Sequence, residues 1–418
     1  MSLINLYQKL RKFKQMDYKK AINDFNKICD GLINPKEKSI RTENNYFLIS
    51  YITSSFFKDQ TLIKIKSLYD TYKDNQYYKD VIIDIINKLF YYNWEGAYSE
   101  LTTYYFLNLC FEEKCELQIQ ENTNGLTIKN TLARYFENKK FSDIDGFNKQ
   151  LGSFFEIKSL ENDTKSQLEK LKKELFNHSE IKNQDFKFTF NSKDGFKIKN
   201  YNGVKKEIEQ GKKELLEYIE KQNQENKERP QDKQRKVIKK LVINSKTNPG
   251  LTITLCIDQI IVIEFQMEET SFQKAEMLEL KPLENPYQFV DGSFMKIFVC
   301  TGLNARKEIN YDRDFARALS RRVFIKLAKD HTPIKGTKPQ LTRSDISKHL
   351  CGLLFITDLS ANKEYVRDLN DQKALYRAFA YLNPNAKYKH TEYLFRQIRF
   401  YLRNLNWRDV DDFRFDNY

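Results

Sequence analysis

Residues 141–160 read FSDIDGFNKQLGSFFEIKSL, and this stretch decides how the rest of the chain is understood. Two runs with strand-like alternation, Phe141–Phe147 and Ser153–Leu160, flank a polar turn over Asn148–Gly152, the pattern of a β-hairpin. Side chains alternate across a strand, so Asp143 and Asp145 share one face, and Glu156 and Lys158 share one face of the second strand. Closure around Lys149–Gln150 sets Asp143 opposite Glu156; closure one residue later sets Asp145 there. Either register gathers two carboxylates and an ammonium among Ile144, Phe154, Phe155 and Ile157. Charges buried beside a core are costly unless something compensates them. A divalent cation would do so, and carboxylate oxygens suit Mg²⁺ or Mn²⁺.

An acidic residue on one strand, a short turn, then Glu156-Ile157-Lys158 on the next resembles the PD-(D/E)xK nuclease superfamily. Ser142 stands where that superfamily often has Pro. Members commonly carry a further Glu on the helix before the hairpin. Here the run from Trp94 to Leu101 is followed by the strand-like CELQIQ at 115–120. Glu100 fits that position because it lies within an amphipathic run with Leu101, Tyr104, Tyr105 and Leu107; Glu95 is the fallback. The resemblance covers about residues 90–160. It implies an α/β restriction-endonuclease-like core, with Asp143 or Asp145, Glu156 and Glu100 around Mg²⁺ or Mn²⁺ and Lys158 as the catalytic cation. It further implies a DNA substrate in restriction or phage defence. The competing reading of Glu156 and Lys158 is a solvated strand face, common in a chain that is 31% charged. The apolar context of FFEIKSL argues against it.

With 71 Lys+Arg against 57 Asp+Glu, the formal charge is +14. Such a surplus favours a polyanionic partner, nucleic acid first and an anionic membrane second. AT-rich coding bias, which also raises Asn, Ile, Tyr and Phe, is the rival source of the lysines. The six cysteines show no CxxC spacing and no nearby His, so neither a zinc site nor a disulfide framework is expected. No run reaches the ~18 apolar residues of a membrane span, and the N-terminus lacks a signal-peptide core. A cytoplasmic protein without membrane contact is expected.

Residues 1–90 have helical apolar spacing, as in Leu3, Leu6, Leu10 and Phe13, and again in Val81, Ile82, Ile85, Ile86 and Leu89. They form a helical region that packs on the core or docks a homodimer or protein partner. Residues 161–240 turn polar and charged. Leu168, Leu171 and Leu175, then Val204, Ile208, Leu215 and Ile219, predict two amphipathic helices. Between them QDFKFTFNSKDGFKIKN predicts a hairpin turning at Asp194-Gly195, and Lys221–Lys236 predicts a mobile loop. Gln210 is a weak candidate for a residue that the superfamily often places after the Glu-x-Lys strand; an exposed Gln is the plainer reading. Residues 241–418 either complete the core sheet, with 161–300 as an insertion, or form a separate nucleic-acid- or partner-binding domain. Within them VIKKLVI, LTITLCIDQIIVIEF, FMKIFVC and HLCGLLFITDLS read as strands.

Two arginine sets could grip phosphates. Arg317 and Arg321 lie one turn apart in a helix over Asp312–Lys329, and Arg396, Arg399 and Arg403 line a helix over 390–408 beside Tyr393, Phe400, Tyr401 and Trp407. The plain reading of the second helix is a core element whose arginines pair with Asp409–Asp412. Taken together, the sequence points to a Mg²⁺-dependent endonuclease. A non-catalytic nucleic-acid-binding or scaffold subunit and an RNase are the alternatives.

Overall fold

The computed structural model describes residues 18–40, 45–119, 132–137, 144–160, 186–192, 200–227, 239–249, 251–257, 271–290, 292–303, 311–338, 340–366, 368–369 and 371–388. The chain is mixed α/β and divides into two compact units, Met1–Leu160 with Leu278–Tyr418, and Glu161–Met277. The first unit opens with helices α1 (Tyr18–Ile28), α2 (Tyr46–Thr53), α3 (Ser55–Tyr72), α4 (Gln76–Lys88) and α5 (Trp94–Cys110). Side-chain caps start three of them: Asn45, Ser54 and Asn75 accept from the backbone amides of Leu48, Phe57 and Tyr78. Their apolar stripes meet in an aromatic cluster where Phe25 packs edge-on against Tyr51 at 5.2 Å and Phe47 lies 5.4 Å from Tyr98.

Beyond α5 the chain forms β1 (Glu116–Ile119), β2 (Ile144–Asn148) and β3 (Ser153–Lys158), all antiparallel neighbours. After the second unit it returns as β7 (Phe294–Cys300) and β8 (Leu350–Asp358), each parallel to its neighbour, and β9 (Tyr376–Leu382), which is antiparallel. The order β1-β2-β3-β7-β8-β9 makes one six-stranded mixed sheet. A helix after residue 312 and a buried strand at HLCGLLFITDLS therefore do complete the sheet that begins with the hairpin. One face packs against the N-terminal helices, sharing Phe155, Ile157, Met295, Ile297 and Val299 with Leu101 and Tyr104. On the other, Phe298 and Phe355 lie 5.5 Å apart, and Tyr311 and Phe315 pack on Phe355 beneath α8 (Arg313–Arg321). A short helix, α9 (Arg343–His349), opens with a capping box between Thr342 and Asp345 and leads directly into β8.

The second unit contains β4 (Phe186–Ser192), β5 (Lys239–Asn244) and β6 (Leu251–Ile257) in the order β4-β6-β5, with the long helix α6 (Tyr201–Lys227) and the short α7 (Ser271–Met277). Val204, Ile208 and Leu215 are buried on α6, and Gly211 gives it close approach: a Cβ there would overlap Ile243 and touch Leu241 and Leu255. Three expectations are corrected. The division falls at 277/278, so β5 and β6 belong to the unit that starts at residue 161 and not to the C-terminal part of the chain. LTITLCI is a central strand, as its β-branched content predicts, but of this small sheet. Residues 221–227 continue α6 and are not loop, because Lys, Gln and Glu are good helix formers even where apolar residues are absent. The first predicted helix of this region and the turn at Asp194-Gly195 lie outside the described residues. So do Leu3, Leu6, Leu10 and Phe13. Among the described residues no helix is long and apolar enough to cross a membrane. The described cysteines Cys29, Cys110, Cys115, Cys300 and Cys351 are buried free thiols.

Candidate metal and phosphodiester site

The hairpin register resolves one ambiguity. Gly146 pairs with Phe155, Phe147 with Phe154 and Asn148 with Ser153, so continuing the ladder places Asp145 opposite Glu156. The turn chemistry explains the choice. Asn148 Oδ1 accepts from the Leu151 amide at 2.9 Å, and Gly152 takes φ 61°, a left-handed value that glycine adopts without strain. Closure thus falls at Gln150–Leu151, one residue later than the Lys149–Gln150 alternative. Gly146 is needed in β2 because a Cβ there would overlap the Phe155 ring and the Glu116 carbonyl. The ladder between β2 and β3 ends at Gly146, and the Asp145 carboxylate takes the next free amide, that of Ile157, at 2.5 Å. Asp143 lies outside the described residues.

Four predicted residues meet at this end of the sheet. Lys158 Nζ lies 2.5 Å from Glu156 Oε1; the Lys158 side chain is 41% exposed and that of Glu156 only 1%. The other oxygen of Glu156, Oε2, is buried with no hydrogen-bond partner among the described residues. Glu100 arrives from α5 and accepts from the Gln118 side-chain amide at 3.1 Å. Gln118 itself sits at φ 39° in β1, an uncommon value for a residue other than glycine, and so kinks the strand beside Glu100. Tyr104, one turn after Glu100, donates to the Asp145 carbonyl at 2.6 Å and ties α5 to β2. Glu95, the fallback, lies about 140° further round the helix, at ~100° per residue.

The electrostatics agree with this grouping. Burial, then the Glu156 and Glu100 carboxylates, push the Asp145 carboxyl well above its usual range. Burial also raises Glu100, against the Gln118 hydrogen bond and the Lys88 charge. For Lys158, burial lowers the ammonium, but the Glu156, Asp145 and Glu100 carboxylates outweigh it and leave its pKa raised. Such a cluster of mutually repelling acids holds protons poorly placed for a stable fold but well placed for a cation. Among the described residues no three His, Cys, Asp or Glu side chains converge as a ready-made metal cage. The donor set still suits Mg²⁺ or Mn²⁺. Such ions are usually held by one or two carboxylates with water and substrate phosphate completing the shell, and Glu156 Oε2 is a buried oxygen lacking a partner.

One residue of the site was missed in the sequence. Lys296 on β7 is paired in register with Glu156 and is 1% exposed. Its Nζ lies 3.4 Å from the Glu284 carbonyl and 5.1 Å from the Phe289 ring centre. Burial lowers its pKa to about 8, although Glu156 pulls it upward. The signal was present: FMKIFVC places a single cation among six apolar residues, where a solvated lysine has no place.

The other predicted contacts are not gathered here. Arg317 and Arg321 do lie one turn apart on α8, but both are half-buried, so they form no open basic stripe. Arg396, Arg399 and Arg403 lie outside the described residues. Gln210 is exposed on α6, within hydrogen-bond distance (3.4 Å) of Glu214, in the other unit. No protein-family model, curated protein or solved structure matches the chain.

Proposed function

We propose that this chain is a metal-dependent nuclease that hydrolyses phosphodiester bonds in DNA, built on a PD-(D/E)xK-like core. The observation that carries the reading is the pairing of Asp145 opposite Glu156, with Lys158 on one Glu156 oxygen and the other oxygen buried without a partner among the described residues. The order helix, antiparallel hairpin sheet, then a parallel strand beside the Glu-x-Lys strand supports it as well. A setting in restriction or phage defence rests on the resemblance alone, since one fold hosts many functions.

Glu156 and Asp145 would hold the cation, with Glu100 assisting. A bound Mg²⁺ supplies an acidified water and charge stabilisation at the phosphate. Lys158 is exposed enough to reach solvent and is held charged by its carboxylate neighbours. It therefore orients the attacking water and offsets the negative charge that develops on the phosphoryl oxygens. Asp145 is fixed by the Ile157 amide and by Tyr104 at its carbonyl, so its carboxylate keeps one direction.

Incubating the pure protein with plasmid and Mg²⁺, against an EDTA control and a parallel RNA substrate, tests the proposal. Cleavage of DNA that EDTA stops is expected; cleavage of RNA alone would reassign it as an RNase. The absence of a ready-made three-ligand cage favours, as second reading, a nucleic-acid-binding subunit without its own catalysis. Salt-dependent DNA binding with no cleavage by either the wild type or Mn²⁺-supplemented protein would select that reading.

A further inference from the structure

Lys296 and Lys64 are the two buried lysines among the described residues, and Lys296 lacks the close carboxylate that Lys64 has in Asp358. It sits inside β7 at 1% exposure, and the parallel register sets it beside Glu156 on the same face of the sheet. An ammonium has three donors, yet among the described residues its hydrogen bonding is one long contact of 3.4 Å to the Glu284 carbonyl. The Phe289 ring, itself stacked on Phe294 at 4.8 Å, lies 5.1 Å away. A buried cation with so little hydrogen bonding is tolerated only where negative charge faces it. Glu156 and Asp145 supply that charge, with Glu284 behind, while Lys158 opposes it.

The site therefore holds the carboxylates of Asp145, Glu156 and Glu100 against the ammonium groups of Lys158 and Lys296. Resting on the nuclease reading, we propose that Lys296 is a built-in counter-ion of the carboxylate cluster, a positioning residue that competes with the divalent cation and so sets how tightly the site takes it. The metal must then bind against a positive charge one strand away from Glu156. The arrangement favours binding of the cation together with a phosphate, whose own negative charge offsets the extra lysine.

The test is a Mn²⁺ titration by calorimetry on the full chain, comparing wild type, Lys296→Met and Glu156→Gln. Lys296→Met keeps the side-chain length and removes the charge. It is expected to bind Mn²⁺ about tenfold tighter or more, since removing one like charge at this range is worth at least that factor. A purely structural lysine gives the opposite sign, because damage to the strand loosens the carboxylates and weakens binding. Lys296→Gln, a smaller polar change, must show the same direction if Lys296→Met fails to fold. Equal or weaker affinity in the charge-removed protein overturns the inference and leaves the nuclease reading standing. No Mn²⁺ binding to wild type, or undiminished binding to Glu156→Gln, overturns both.

Discussion

Glu156 and Asp358 are both buried acids near the carboxyl ends of parallel strands, on opposite faces of one sheet. Asp358 has every oxygen engaged. Its Oδ2 faces the Lys64 ammonium and accepts from Tyr98 at 2.9 Å, with Thr102 at 3.3 Å, while its Oδ1 accepts from the Ser360 amide at 2.9 Å and hydroxyl at 2.5 Å. Both partners of the ion pair are fully buried, and the Lys64 ammonium also lies over the Tyr98 and Tyr376 rings. Glu156 has one oxygen on a half-exposed lysine and the other without a hydrogen-bond partner among the described residues. The saturated cluster pins α3 and α5 to the end of β8. The two acids thus differ in how fully their oxygens are satisfied, and buried polar groups are ordinarily satisfied.

The largest expected difference is in stability. Asp358→Ala strands a buried ammonium and should lose about 3–5 kcal/mol in urea denaturation. Glu156→Gln, which relieves repulsion on Asp145, should change stability by less than about 1 kcal/mol. Equal losses at both positions would erase the distinction. Activity should split the other way: Glu156→Gln and Lys158→Ala are each expected to slow Mg²⁺-dependent plasmid cleavage by at least about 100-fold while the fold persists. Wild-type turnover in a folded Lys158→Ala protein would remove the assigned role.

The two interior lysines near these acids also allow a pH test. Lys296 has a folded pKa near 8, below the ~10.4 of an unfolded lysine, so the unfolded chain binds more protons between those values. Its burial penalty is therefore present at low pH and is relieved as pH rises through 8. Wild type should gain about 2 kcal/mol relative to Lys296→Met between pH 7.5 and 9.5, read by urea denaturation. The smallest effect belongs to Tyr376, whose buried hydroxyl lacks a hydrogen-bond partner among the described residues. Tyr376→Phe should be neutral or stabilising by under about 1 kcal/mol. A clear loss would show that the saturated cluster extends to this hydroxyl.

How much of this was legible depends on what each segment's pattern could encode. The hairpin at 141–160 was readable because two short alternating runs flank a turn that only polar residues and glycine fill. Its register was not, because Asn148 decides it through a side-chain hydrogen bond to Leu151 that spacing alone does not reveal. The buried strand at HLCGLLFITDLS was readable from its apolar run, but β9, YRAFAYL, was not, because its exposed Arg377 and small alanines give no clear strand pattern. The insertion boundary was hidden because β6 looks like a core strand and is one, of another sheet. Lys296 is one charge in a run of seven residues whose other six are apolar, so the pattern reports a buried strand and not a site. That exception carried more chemical information than the rule it broke.

The neighbours Glu156 and Lys296 are 140 positions apart in the chain, although their strands touch. At a synthesis rate of about 5–20 residues per second, roughly 7–28 s separate their emergence from the ribosome. For that interval β3 is an open edge with unpaired amides and carbonyls, the kind of surface that recruits other strands. The acidic half of the pocket thus exists before its interior lysine does, and a nascent chain cannot own a finished pocket until β7 has docked.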